Sequence, residues 1–255
     1  MKKQWEQVQG IYLHIPFCMQ KCLYCDFASF AGKNDLMHQY AVALANEIRR
    51  RAAEMPVSER ATLYFGGGTP SLLPIDDLKI IINALKETEL WREPAEVTME
   101  MNPGTVDFAK LCQYREMGID RVSFGVQSLN DEELKIIGRL HTASEALMAI
   151  EQASKDGFER ISADLIFGLP TQTLASFKDT LATIVASAIS HLSVYGLTVE
   201  EGTPLAAKLA NGSLTLPSEE AAEMMYDHTI RYLEEHELHR YEISNFARTG
   251  QESLH

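Results

Sequence analysis

Cys18, Cys22 and Cys25 crowd three thiols into eight consecutive positions, spaced C-x3-C-x2-C, directly after the apolar stretch Ile11 to Ile15 and its terminating Pro16. A loop this short can present three thiolates to one small centre. Three thiolates satisfy three irons of a cubane [4Fe–4S] cluster and leave the fourth iron open, whereas a closed structural zinc site needs four ligands. Zinc would have to recruit His14, Asp26 or the distant Cys112, and on the residues alone that alternative stays open. Cys112, in a helical pattern beside Leu111, reads as a small buried hydrophobe. Four cysteines in 255 residues are too few for a disulfide scaffold, so a reducing, cytoplasmic setting and a metal-binding loop are expected.

Further along, Gly66-Gly67-Gly68-Thr69-Pro70 lets backbone approach a ligand that any Cβ would push away; its alternative is a plain tight turn. No Gly-Lys-Ser/Thr follows it and no G-x-G-x-x-G opens a helix, so neither nucleotide fingerprint applies. Glu100, within Val97-Thr98-Met99-Glu100-Met101-Asn102-Pro103, is a carboxylate near the end of a strand-like run, where it could neutralise an ammonium or hold a ribose hydroxyl, or simply face solvent at an edge. Gln127, Arg139 and Asp164 are individually weak signals: a polar turn residue, a helix-end arginine and a strand aspartate.

These residues need a scaffold, and the apolar runs supply one by alternating with helical patterns as βαβ units do. Strands are expected at Ile11 to Ile15, Thr62 to Phe65, Glu96 to Met101, Arg121 to Gly125, Ile161 to Phe167 and Leu192 to Leu197. Helices are expected near His38 to Ala53, Ile75 to Thr88, Val106 to Met117, Asp131 to Ile137, Ala143 to Asp156 and Leu174 to Ser187. Val122, Phe124 and Val126 alternate with Ser123, Gly125 and Gln127, and Ser162 and Asp164 interrupt an otherwise apolar strand. One face of the sheet therefore looks into something wet, which favours a curved α/β partial barrel over a flat doubly wound sheet. Residues 1–200 are read as that barrel. After them, a stretch from Gly202 to Pro217 leads into a helix at Ser218 to Glu235 and a short strand at Tyr241 to Ile243; residues 201–255 are read as the start of a C-terminal α/β region, apparently truncated.

Composition narrows the function. With 23 basic against 36 acidic residues the net charge is −13, which opposes a non-specific grip on nucleic acid. No apolar run approaches the roughly 18 residues of a membrane span, and Met1 to Gly10 has no hydrophobic signal core, which leaves only peripheral contact with a membrane open.

The segment Tyr12-Leu13-His14-Ile15-Pro16-Phe17-Cys18 with Cys22-Leu23-Tyr24-Cys25-Asp26-Phe27 resembles the radical S-adenosylmethionine (SAM) superfamily, in the branch of oxygen-independent coproporphyrinogen oxidases and the heme chaperones of the HemW type. The resemblance implies a partial (β/α)6 barrel, a [4Fe–4S] cluster on Cys18, Cys22 and Cys25, and SAM chelated by the open iron and cleaved to a 5′-deoxyadenosyl radical. It places Gly67, Gly68 and Thr69 at the methionyl part of SAM, Arg139 at its carboxylate and Asp164 at its ribose, with Glu100, Gln127, Tyr12, Tyr24 and Thr198 as further contacts. For Tyr12 and Tyr24 the alternative is a core tyrosine. The oxidases carry a further cysteine where Phe27 stands, and an N-terminal arm where only ten residues precede the first expected strand. Tyr241-Glu242-Ile243-Ser244-Asn245-Phe246-Ala247 resembles the stretch that in the chaperones precedes an HNxxYW motif, which would make His255 that motif's histidine and a candidate heme ligand on a frayed terminus. The branch therefore implies heme as ligand and recipient hemoproteins as partners; coproporphyrinogen decarboxylation is the alternative.

Overall fold

A computed structural model describes residues 8–54, 57–88 and 90–255. Its strands are β1 (Val8–Ile15), β2 (Phe17–Cys18), β3 (Phe30–Ala31), β4 (Val57–Gly67), β5 (Glu96–Met101), β6 (Arg121–Gln127), β7 (Arg160–Phe167), β8 (His191–Gly196), β9 (His239–Arg240) and β10 (Asn245–Ala247). Its helices are α1 (Met37–Ala52), α2 (Ile75–Glu87), α3 (Phe108–Met117), α4 (Asp131–Ile136), α5 (Ala143–Asp156), α6 (Leu174–Val185), α7 (Pro204–Ala210) and α8 (Glu219–Glu235).

Six parallel strands run in chain order, β1-β4-β5-β6-β7-β8, and β10 then β9 extend the same sheet antiparallel. This is the α/β architecture with a mostly parallel sheet expected from the alternation. Helix boundaries follow local chemistry. Asp107 caps α3 by accepting from the Lys110 N–H at 2.8 Å, which starts that helix at Phe108 rather than Val106. Thr142 and Glu145 form a capping box on α5, and Gly118 and Gly157 end α3 and α5 at φ 103° and 99°. On α1 the buried residues Met37, Ala41, Ala45 and Ile48 fall on one stripe, the period by which an amphipathic helix covers a sheet.

The alternation within β6 and β7 has the expected meaning. Val122, Phe124 and Val126 are fully buried under the helices, while Ser123, Gln127, Ser162 and Asp164 turn to the concave face and line a lumen. Two expectations need correction. Tyr241 to Ile243 is not a strand: Glu242 Oε1 accepts from the Ser244 N–H and the Asn245 side chain, making a turn that separates β9 from β10. The stretch from Gly202 to Pro217 contains α7, capped by Thr203 with Pro204 in its first turn. No helix among the described residues is long and apolar enough to cross a membrane.

Candidate cofactor site at the mouth of the barrel

The thiol loop leaves β1 at Pro16, and β2 pairs with β3, Phe17 opposite Phe30 and Cys18 opposite Ala31, which closes the loop at its base. Its middle is pinned from two directions. The Leu23 N–H donates to the Ile137 carbonyl at 3.0 Å, and the Leu23 carbonyl accepts from Leu205 N–H at 2.9 Å, tying the loop to the end of α4 and the start of α7. Within it Cys25 N–H donates to the Cys22 carbonyl at 3.2 Å, so both thiols share one turn.

Opposite the loop lies the triglycine. Gly67 sits at φ 114°, and a Cβ on Gly68 would stand 2.7 Å from the Phe17 carbonyl oxygen, a fixed backbone atom. Only glycine lets the β4 end press this closely on the cysteine loop. Gly68 N–H donates to the Ile15 carbonyl at 2.8 Å, and Gly67 N–H donates to Glu100 Oε2 at 3.0 Å. Thr69 Oγ1 then reaches Cys18 Sγ at 3.7 Å.

Glu100, on β5, also accepts from the Tyr64 hydroxyl at 2.9 Å. Burial raises its carboxyl to about 7, helped by the charge of Asp164 and opposed by the Tyr64 and Gly67 donors. Asp164 accepts from Ser123 Oγ at 3.3 Å, and burial raises its carboxyl to about 6 against donors from Ser193 and Ser123 and the charge of Arg139. Two carboxyls poised near neutrality in one cavity suit a cationic ligand, whose charge would draw both into the ionised form.

Arg139 follows α4 through Gly138, which adopts φ 78°. Its Nη2 donates to Asn102 Oδ1 and the Gly125 carbonyl, and Nη1 reaches Cys22 Sγ at 3.6 Å. Its Nε is buried without a partner among the described residues, a donor to spare beside the thiols. Gln127 occupies φ 68° at a register shift between β6 and β7, a conformation that costs a non-glycine residue roughly 1–3 kcal/mol and gathers at functional sites.

Cys18, Cys22, Cys25, Gly67, Gly68, Thr69, Glu100, Gln127, Arg139 and Asp164 all line a cavity of about 140 Å3. Tyr24 lines it too, its hydroxyl driven upward by burial, and it also faces a larger chamber of about 610 Å3 below, as does Thr198. Tyr12 lines neither cavity: it is exposed on β1, and its hydroxyl shares a proton with His14 Nδ1 at 3.2 Å. His255 stands at the opposite end of the lumen, far from a frayed position. Its Nδ1 shares a proton with Thr62 Oγ1 at 2.8 Å and its ring lies against Tyr64 with centroids 4.9 Å apart.

The residues at the loop are of the types an iron–sulfur cluster would use, three thiols with side-chain donors on two of them. Among the described residues no three His, Cys, Asp or Glu side chains are grouped to hold one metal ion. His14 Nε2 is engaged with the Ala28 carbonyl at 2.8 Å, and Cys112 Sγ donates to Asp156 Oδ1 at 2.9 Å, which removes two of the groups zinc would recruit. Cys112 is thus half-buried and hydrogen-bonded, which corrects its reading as a buried hydrophobe. Donors from Thr69 and Arg139 aimed at two sulfurs match thiolates carrying shared negative charge. Sequence reasoning misses Asn102, Tyr64 and Ser193 as site residues, and reads Ser123 only as part of a wet face. Their signal was positional, since Asn102 follows Glu100 at a strand's C-terminal end, where barrel chemistry gathers.

A family model described as the radical SAM superfamily matches residues 12–184. The chain is 36% identical over 249 residues to the heme chaperone HemW of Bacillus subtilis (strain 168), covering 97% of this chain and 66% of that protein. It is 34% identical to radical S-adenosyl methionine domain-containing protein 1, mitochondrial, of Danio rerio, covering 96% of this chain and 55% of that one. Among solved structures, the radical SAM enzyme coproporphyrinogen III oxidase (HemN) from Escherichia coli superposes with a TM-score of 0.84 at 28% identity, over 97% of this chain and 57% of that chain. The chain therefore spans 55% to 66% of the length of these curated relatives.

Proposed function

Because the chain belongs to the radical SAM superfamily, which uses a [4Fe–4S] cluster and SAM, we propose that Cys18, Cys22 and Cys25 hold the cluster, that SAM lies against Gly67, Gly68, Thr69, Glu100, Gln127, Arg139 and Asp164, and that the protein binds heme and hands it to recipient hemoproteins. The observation that carries the heme reading is the 36% identity to a heme chaperone sustained over 97% of the chain.

When bound, the cluster supplies an electron for reductive cleavage of SAM. The protein's own residues prepare the site. Thr69 Oγ1 and Arg139 Nη1 donate toward Cys18 and Cys22 and stabilise thiolate charge. Arg139 Nε offers a carboxylate the donor that nothing else takes. Asp164, steadied by Ser123, accepts from a hydroxyl, and Glu100 binds or releases its proton at Oε1 or Oε2 according to the charge beside it.

A second reading, oxidative decarboxylation of coproporphyrinogen, is favoured by the TM-score of 0.84 to HemN. Against it, Phe27 stands two residues after Cys25 and brings no thiol to the mouth, where it is 65% exposed. One anaerobic comparison decides. Heme-loaded protein is mixed with an apo-hemoprotein, and in parallel coproporphyrinogen is supplied with SAM and a reductant. Heme transfer without coproporphyrinogen consumption is expected; steady consumption would install the oxidase reading, and absence of heme binding would end the chaperone reading.

A further inference from the structure

Behind the cofactor mouth, one buried side chain that touches no thiol is tied to a donor that does. Ser71 lies two residues after Thr69, in the short 3-10 turn Pro70–Leu72, and is fully buried. Its carbonyl accepts from the Tyr114 hydroxyl at 3.1 Å and from Lys110 Nζ, both on α3, so its backbone is held from behind. Its hydroxyl belongs to a closed ring of hydrogen bonds. Thr105 Oγ1 donates to the Asn102 carbonyl at 2.7 Å, and because a carbonyl only accepts, this bond takes the one hydroxyl proton that Thr105 has. Ser71 Oγ, 2.6 Å from Thr105 Oγ1, therefore donates to it, and its free lone pair accepts from the Asn102 N–H at 3.3 Å. Two hydroxyls thus grip the backbone of Asn102 at its N–H and at its carbonyl, each with its proton direction fixed.

The side chain of Asn102 passes that constraint on. Its Oδ1 accepts from Arg139 Nη2, which also donates to the Gly125 carbonyl, and the other terminal nitrogen, Nη1, lies 3.6 Å from Cys22 Sγ. A guanidinium is planar and rigid, so fixing one nitrogen sets the direction of the other. The path from Ser71 through Asn102 and Arg139 to Cys22 joins four positions remote in sequence, whereas Thr69 reaches Cys18 directly.

We propose that Ser71 is a positioning residue for the thiol loop: through Asn102 it aims Arg139 at Cys22, and so helps set the reduction potential of the cluster. The inference rests on the reading that Cys18, Cys22 and Cys25 hold that cluster. Reduction adds negative charge that the sulfurs share, and a donor aimed at a sulfur stabilises it, so a slackened Arg139 lowers the potential.

The test is an anaerobic dithionite titration of the cluster-loaded, SAM-free chain, followed by electron paramagnetic resonance. It compares wild type, Ser71→Ala, Thr105→Val and Thr105→Ser, with Ser71→Ala repeated in an Arg139→Ala background. Ser71→Ala and Thr105→Val break the ring at different residues, so either one carries the test if the other does not fold. Each is expected to shift the reduction equilibrium about tenfold, the size of one weakened charge-assisted hydrogen bond, which is about 59 mV downward for a one-electron couple. Thr105→Ser keeps the hydroxyl and is expected to hold the wild-type potential, and Ser71→Ala is expected to add no shift once Arg139 is gone. A merely structural role would lower stability in urea and leave the potential unmoved. Wild-type potentials in both Ser71→Ala and Thr105→Val, a lowered potential in Thr105→Ser, or a Ser71→Ala shift that persists in full without Arg139 would overturn the proposal and leave the cluster reading standing. Wild-type protein without a cluster would overturn that reading and the proposal with it.

Discussion

Replacing Glu100 by Gln should flatten the pH dependence of stability. Burial raises the Glu100 carboxyl from 4.5 to about 7, so the folded protein keeps a proton that the unfolded chain releases across that interval. Unfolding is then accompanied by proton release, and stability is greatest below about 4.5 and falls as the pH rises toward 7. At about 1.4 kcal/mol per pH unit the interval gives an upper bound of about 3 kcal/mol. Asp164, raised from 3.8 to about 6 chiefly by burial, contributes with the same sign, and its charge is one of the causes that raise Glu100. Gln is the right substitution: its Oε1 can accept from Gly67 and its amide can donate to the Tyr64 oxygen, the two partners Glu100 has now. Urea denaturation of cluster-free, SAM-free protein at a series of pH values measures the effect. Wild type should lose up to about 3 kcal/mol relative to Glu100→Gln between pH 4.5 and 7. Parallel curves for the two proteins would refute the burial argument.

Gly68→Ala forces a methyl against the Phe17 carbonyl at 2.7 Å, so it should cost roughly 1–3 kcal/mol by denaturation and loosen the cysteine loop, whereas Gly104→Ala, whose Cβ would meet only His141 Cβ at 3.8 Å, should be tolerated. Arg139→Ala and Asp164→Ala should each weaken SAM binding roughly tenfold or more by calorimetry while iron content is retained, since each removes one partner of a charge-assisted hydrogen bond. Glu96→Gln leaves Arg121 buried with its charge uncompensated and should destabilise the protein by about 3–5 kcal/mol in the same urea assay.

The legible parts of this protein are those where one residue type does one job. Three cysteines mark a candidate metal-binding loop by spacing, three glycines mark a close approach by having no Cβ, and Ser123 and Asp164, each set among apolar residues of its own strand, mark a wet concave face. What stayed hidden depends on partners distant in the chain. Arg139 owes its position to Asn102 on one side and the Gly125 carbonyl on the other, so its own neighbours in sequence suggest only a helix end. The crossing of residues 251–254 beneath the lumen is held by Arg121 and Glu96, some 130 to 158 positions away, and leaves no local trace. Gln127 at φ 68° is equally silent, because glutamine carries no preference for that region.

The central claim, that three thiolates hold a cluster with one iron open to SAM, is tested most directly by metal and sulfide analysis of anaerobically prepared protein joined to electron paramagnetic resonance of the reduced state with and without SAM. About four irons and four sulfides per chain are expected, with a spectrum that changes when SAM is added, lost in Cys18→Ala, Cys22→Ala or Cys25→Ala and kept in Cys112→Ala. Stoichiometric zinc, or a cluster whose spectrum ignores SAM, would contradict the account.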